Sequence, residues 1–282
     1  TKKGIDGVSD IFENEGFTGF FGKKKNLVEG GRYRPLSLAY FAVVWDFFGP
    51  KKSEIGKNYD KKVQSVASFL HINNAIFYGC TGVLLYLCLL LIFPVSIEKK
   101  WYEGFSFLIA MLYLAHPIHT EVIANVKSLD EIWALLGGLA ALYFALKHID
   151  RPYRGFQFLS FLFFVIGAFA KESIVVFIGV IPLTVWFFKS KEFKSIVMSV
   201  LPSIGAFVIY FICRTIVLGD ISTDGQEQLL NQPFLYAEDA NGNPFSPQWH
   251  TLNFAAQYSF YVGIATLTIF SLPSVKSLYN VD

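Results

Sequence analysis

The sequence predicts an all-α fold: a polytopic transmembrane helical bundle with an interfacial amphipathic helix and non-cytoplasmic loops. Three observations carry that expectation. The chain of 282 residues is 53% hydrophobic and only 16% charged, where a soluble domain carries about a quarter charged residues. Long apolar runs recur, separated by short stretches rich in Lys, Arg, Pro and Gly. The basic residues also fall unequally on alternating loops, as they do in membrane proteins.

Residues 1–34 are polar, Gly-rich and basic, with the run Lys23-Lys24-Lys25. The apolar stretch 35–48 (PLSLAYFAVVWDFF) follows, and Pro35 suits the first turn of a helix. Fourteen residues are few against the ~20 that a bilayer requires. This stretch therefore reads as a helix lying in the interface, with a full span as the alternative. A Lys-rich linker, 49–68, separates it from the clearest span, 70–93.

Further spans are expected at about 101–115, 132–147, 156–170, 173–188, 195–218 and 253–272, punctuated by Pro94, Pro117, Pro152 and Gly219. The organisation is thus a first-loop segment (1–69), a six-helix bundle (70–218), an acidic loop (219–252), and a seventh span with its tail (253–282). Lys99, Lys100, Lys147, Arg151, Arg154, Lys189, Lys191, Lys194 and Lys276 fall on one set of loops. The opposite set holds Lys127, Lys171 and the acidic stretch with Asp220, Asp224, Glu227, Glu238 and Asp239. The positive-inside rule puts the first set in the cytoplasm, so 116–131, 171–172 and 219–252 face away from it.

Cys80, Cys88 and Cys213 all lie in apolar segments, which reads as buried thiols. A net charge of +2 gives no basis for a nucleic-acid partner. No P-loop, Gly-rich dinucleotide fingerprint or Ser-His-Asp pattern occurs, and no Asn-x-Ser/Thr sequon.

The polar residues outside the basic loops collect on the non-cytoplasmic side. His116-Pro117-Ile118-His119-Thr120-Glu121 closes the 101–115 span. It reads as an interfacial bend with capping side chains, as a contact for a charged headgroup, or as a metal site, of which metal is the least favoured. In Lys127-Ser128-Leu129-Asp130-Glu131, Ser128 and Glu131 have capping-box spacing. Asp130 suits the positive end of the following helix, and Lys127 is the functional candidate. Lys171-Glu172 reads equally as a tight hairpin with snorkelling charges or as a cation and a carboxylate held rigidly at the membrane surface. Arg214 lies about one turn inside its span, where a charge is costly and points to function, with snorkelling as the alternative. Arg32 and Arg34 flank Tyr33 at the head of the interfacial helix, able to grip a phosphate or to anchor on anionic lipid.

These motifs resemble a known family. Gly31-Arg32-Tyr33-Arg34-Pro35-Leu36, Leu70-His71-Ile72-Asn73-Asn74, His116-Pro117-Ile118-His119-Thr120-Glu121, Asn125-Val126-Lys127-Ser128-Leu129-Asp130-Glu131 and Ala170-Lys171-Glu172 occur in this order. They look like the membrane part of the transmembrane, tetratricopeptide-repeat-containing O-mannosyltransferases and their bacterial relatives, of the GT-C class of glycosyltransferases. The likeness covers roughly 1–218 and is weak beyond 219.

It implies a transferase module that takes a sugar from a polyprenyl- or dolichyl-phosphate donor to a protein or glycan hydroxyl on the non-cytoplasmic face. Its partners would be membrane lipid, the lipid-linked donor and that acceptor, with no metal or other cofactor. The family's acidic pair, which supplies the general base, would fall before Thr1 or at its edge. Asp6 and Asp10 are the nearest carboxylates, with Glu121 the other catalytic candidate. The chain then reads as a fragment without that base and without the repeats, inactive by itself. Arg32, Arg34, His116, His119, Lys127, Asp130, Lys171, Glu172 and Arg214 are the expected substrate-binding residues.

The alternative class is a non-catalytic membrane module, such as a transporter subunit or lipid-glycan flippase. Its location is an integral, multi-pass position in a membrane. The bacterial inner membrane is favoured by the missing sequon, with the endoplasmic reticulum as the other choice.

Overall fold

The computed structural model describes residues 4–14, 16, 32–51, 56–94 and 100–219. All of them belong to one compact unit, Thr1–Asn26 with Gly30–Ser222. The stretches expected as an acidic loop (219–252, beyond Gly219) and as a seventh span (253–272), with Lys99 and the Lys23-Lys24-Lys25 run, lie outside the described residues.

Nine α-helices follow one another among the described residues: α1 (Val8–Glu13), α2 (Pro35–Phe48), α3 (Lys57–Ile92), α4 (Phe105–Ala115), α5 (Thr120–Ala124), α6 (Leu129–Asp150), α7 (Arg154–Ala170), α8 (Phe177–Phe188) and α9 (Phe193–Leu218). Short 3-10 turns at Pro117–His119, Val126–Ser128 and Glu172–Val176 join α4 to α5, α5 to α6 and α7 to α8. The chain is an all-α helical membrane bundle. Asn58–Ile92, Val126–Asp150 and Phe193–Leu218 are each long and apolar enough to cross a membrane. Phe105–Ala115 with Pro117–Ala124 makes a fourth if taken as one span bent by 49°. The remaining apolar helices, over Arg154–Ala170 and Glu172–Phe188, are shorter than that length test.

Helix α6 is the centre of the bundle: 56% of its apolar window is buried, against 22% for α3 and α9. Its sequence explains the position. Gly137 and Gly138 remove side chains where neighbours come closest, as small residues do at membrane-helix contacts. A Cβ on Gly137 would stand 2.7 Å from the Phe163 carbonyl and 2.9 Å from Gly167 Cα, so α6 and α7 pack backbone to backbone. One on Gly138 would run into the Phe177 ring. Ala134, Ala141 and Ala145 continue the small face, and Phe164, Ala168, Ile181, Val185 and Ala206 close around it. Polar links cross the core as well, with Ser160 Oγ donating to the Ala141 carbonyl at 3.0 Å and Cys88 Sγ to the Leu139 carbonyl at 3.4 Å. The outward apolar residues, among them Leu112, Phe187 and Ile216, form the lipid-facing surface of a membrane bundle.

Three sequence expectations are corrected here. The linker expected to run to residue 68 turns helical at Lys57, so α3 has 36 residues, about 54 Å at 1.5 Å per residue. That exceeds a hydrocarbon core of about 30 Å. Asn74 Nδ2 donates to the Asn125 carbonyl at 2.9 Å, which sets the level of the loop face on α3. The polar half before Asn74 therefore extends past the bundle. Second, the connection at Lys171-Glu172 is not a bare hairpin: a 3-10 turn runs over Glu172–Val176 before α8 begins. Ile174 is buried in that turn, and this packing on Gly167 of α7 holds it there. Third, the Ser128 side chain makes no cap bond to α6. Ser128 is itself inside a 3-10 turn capped by Asn125, and Asp130 Oδ1 accepts from the Glu131 N–H instead at 2.9 Å.

Helix α2 lies along the loop face. At its head, Arg34 Nη1 donates to Asp130 at 3.0 Å. Towards its other end, Val44 packs with Val66 and Leu70 of α3, in a cluster whose edge includes Val126 of the turn just before α6. Tyr40, between them, stacks edge-on against Trp133 at 5.1 Å and accepts from Asn73 at 2.5 Å.

Candidate functional site

The segment Arg32-Tyr33-Arg34 is fixed by its middle residue. Tyr33 is 3% exposed. Its hydroxyl donates to the Phe12 carbonyl of α1 at 3.1 Å, and its own carbonyl accepts from the Tyr210 hydroxyl of α9 at 3.1 Å. Its ring stacks on Tyr210 at 6.2 Å and meets Phe169 at 6.1 Å. With Tyr33 held among aromatic rings, both arginines are delivered to the head of α6.

Asp130 receives them. Its Oδ2 accepts from Arg32 Nη2 at 3.2 Å and from Arg34 Nη1 at 3.0 Å, while Oδ1 serves the helix N-terminus. Arg34 also makes a fork to Glu172, Nε to Oε2 at 2.9 Å and Nη2 to Oε1 at 2.5 Å. Lys171 pairs with Glu131. Among the described residues, three cations thus meet three carboxylates and their formal charges balance, in a network assembled from the α2 leader, the head of α6 and the α7–α8 turn.

The shifts within it follow from burial and neighbours. Burial, then the adjacent Arg34 charge, pulls Arg32 below the ordinary guanidinium value. Arg34 is also penalised by burial, but its bonds to Glu172 and the charges of Glu172 and Asp130 outweigh that and raise it. Burial, then Arg34, lowers Lys171. Burial alone would raise Glu172, yet the Arg34 bonds win and hold its carboxyl below the usual carboxylate range.

A cavity of about 240 Å³ adjoins the network. Glu131 belongs to both, lining the cavity and pairing with Lys171. Tyr78, Thr81, Tyr113, His119 and Ser173 supply the other polar walls, while Ile132, Ile174 and Phe177 are apolar. Tyr113 and His119 lie with ring centroids 4.5 Å apart, and Tyr78 sits 5.6 Å from His119. The Gly138 contact matters here, because it lets Phe177 settle against α6 and form part of the wall.

Of the residues expected from sequence, Arg32, Arg34, Asp130, Lys171 and Glu172 share the network, and His119 joins the cavity. His116 is exposed and caps the Pro117–His119 turn, accepting from the Ile118 N–H at 3.3 Å. Lys127 and Glu121 are exposed on the same loop face, and neither belongs to the ion pairs of the network. Arg214 lies one turn beyond Tyr210, within electrostatic reach of that hydroxyl. Asp6 and Asp10 are exposed on the N-terminal segment that packs on α2.

Sequence reasoning missed Glu131, explained away as a cap, and the walls Tyr78, Thr81, Tyr113 and Ser173. One signal was available: Asn74, Tyr78 and Thr81 make a polar stripe at helical spacing on an otherwise apolar run. No protein-family model, no curated protein and no solved structure matches the chain.

Proposed function

We propose that this chain is the membrane part of a glycosyltransferase that moves a sugar from a polyprenyl- or dolichyl-phosphate donor to a protein or glycan hydroxyl. The network face is then the non-cytoplasmic one. The observation that carries the reading is the convergence of Arg32, Arg34 and Lys171, from two distant segments, beside a polar cavity at one end of a membrane bundle.

The chemistry such a transfer needs is of this kind. The acceptor oxygen bonds to the anomeric carbon as the bond from that carbon to the phosphate oxygen breaks. The electron pair leaves with the phosphate, and guanidinium groups stabilise the charge that develops there. The acceptor proton passes to a carboxylate, for which Asp6, Asp10 and Glu121 are the candidates. Since the formal charges of these described groups balance, an entering phosphate must replace a carboxylate on a guanidinium. Glu172 is the partner that yields, because its side chain is 47% exposed while that of Asp130 is 7% exposed.

The test is transfer of radiolabelled mannose from a polyprenyl-phosphate donor to peptide and glycan acceptors by the full-length protein in nanodiscs. Transfer is expected, and Arg34→Ala lowers it by about tenfold or more, the loss of one charged contact. Lys194→Ala, at the other end of the bundle, leaves it unchanged. Absence of transfer from lipid-phosphate donors across a panel of sugars sinks the reading.

A further inference from the structure

We propose that the cavity between α3, α4, α6 and the Glu172–Val176 turn binds one neutral sugar ring, with Glu131 accepting from its hydroxyls and Tyr113 packing against its C–H face. The proposal rests on the transferase reading for its biological setting, but binding is measured without turnover, so each can fail alone.

The hydrogen-bonding character of the walls comes first. Thr81 already donates its proton to the Tyr78 carbonyl at 2.6 Å, and Tyr78 donates to the Tyr113 and Leu114 carbonyls, each at 3.2 Å. The Tyr78 oxygen is thereby left as an acceptor beside the Glu131 carboxylate, while Thr81, fully buried, closes the wall behind it. A wall rich in acceptors wants a ligand rich in donors, which a polyol is.

Charge then narrows the class. No Lys or Arg lines the cavity among the described residues, so an anion finds no counter-charge inside it. Nor is a cation favoured, although aromatic rings with a carboxylate are a common ammonium site. Glu131 is already paired with Lys171, so its charge is compensated before any ammonium could enter. A neutral, donor-rich ligand remains.

Size and shape agree. At about 240 Å³ the cavity falls below the roughly 300–1,000 Å³ of drug-sized sites, and suits a single ring. Tyr113 and His119, 4.5 Å apart, and the Phe177 ring offer flat apolar surface for ring carbons. The cavity also shares Glu131 with the cation network, so a ring seated here can carry a phosphate that reaches Arg34, or can stand alone as an acceptor.

The experiment uses the full-length protein in nanodiscs and two sets of probes. One is a panel of methyl glycosides of mannose, glucose, galactose and N-acetylglucosamine; the other is the same sugars on polyprenyl phosphate. Binding is read by titration calorimetry and by saturation-transfer NMR. At least one sugar is expected to bind saturably, and Glu131→Gln and Tyr113→Leu each weaken it by about tenfold. Binding of the free glycoside marks an acceptor-type ring; binding of the phosphate-linked sugar alone, still weakened by Glu131→Gln, marks the donor's ring. Should Glu131→Gln unfold, Tyr78→Phe supplies a milder loss of one acceptor, expected at about threefold. Three results overturn the proposal: no saturable binding by either set, binding that is indifferent to Glu131, Tyr113 and Tyr78, or displacement of the sugar by choline.

Discussion

At the network face, Arg34 reaches Glu172 at 2.9 Å across 138 positions of sequence and Asp130 at 3.0 Å across 96. The opposite, basic face pairs Lys189 with Asp150 at 2.8 Å, 39 positions apart, between neighbouring loops. The carboxylates differ in the same way, with the Asp130 side chain 7% exposed and that of Asp150 37% exposed. The remaining basic-face charges Arg151, Arg154, Lys191 and Lys194 are exposed. One face thus joins remote segments through desolvated charge. The other carries mostly solvated charge, chiefly basic, with Asp150 and Glu192 among it. Charge alone is therefore no sign of a site in this molecule; charge that is buried, paired and brought from far away in sequence is.

The largest expected difference between the faces is at their central carboxylates. Asp130→Ala removes the carboxylate that the part-buried Arg32 and Arg34 share, and is expected to cost about 3 kcal/mol, the lower end for a buried pair because Arg34 keeps Glu172. Asp150→Ala breaks a surface pair and is expected to cost about 0–1 kcal/mol. Equilibrium unfolding in mixed micelles reads both, and equal losses would erase the contrast.

Next comes the aromatic anchor under the network. Tyr210→Phe removes the donor to the buried Tyr33 carbonyl and is expected to cost about 1–3 kcal/mol, the penalty of an unsatisfied buried acceptor. Mannose transfer should fall with it, as Arg32 and Arg34 lose their registration. A variant with intact activity would show that the arginines hold their places without Tyr33.

A double-mutant cycle on Arg34 and Glu172 should give a coupling of roughly 1 kcal/mol. That is the upper end for a half-exposed pair, reached through the two-point fork. The Lys189–Asp150 cycle should give roughly 0.3 kcal/mol, and reversed magnitudes would locate the stronger coupling on the basic face.

The smallest effect is one of pH. The folded Glu172 carboxyl lies below its ordinary value. Its contribution is therefore fully present above the ordinary carboxylate range and is lost as pH falls through the lowered value. Glu172→Gln should flatten the acid limb of the stability profile, measured by thermal unfolding from neutrality downwards. An unchanged limb would assign the acid sensitivity to other carboxylates.

Composition and loop charge were enough to state that the chain is a helical membrane bundle, because the bilayer imposes run length and apolarity on each segment separately. The helix positions between residues 100 and 219 were legible for the same reason, and Pro117 announced the bend that follows α4. Arg32, Arg34, Asp130, Lys171 and Glu172 could each be singled out by residue type and depth. Their partnership could not, since it depends on how far apart in sequence two segments may be and still meet, and local pattern carries no such information. Only the tertiary structure decided that Glu131 leaves its expected cap for Lys171, that α2 lies along the face, and that a cavity opens beside the network. Those outcomes turn on the close packing of α6 against α7 at Gly137 and Gly167 and on the seat of Phe177 at Gly138, and packing is a property of the assembled helices together.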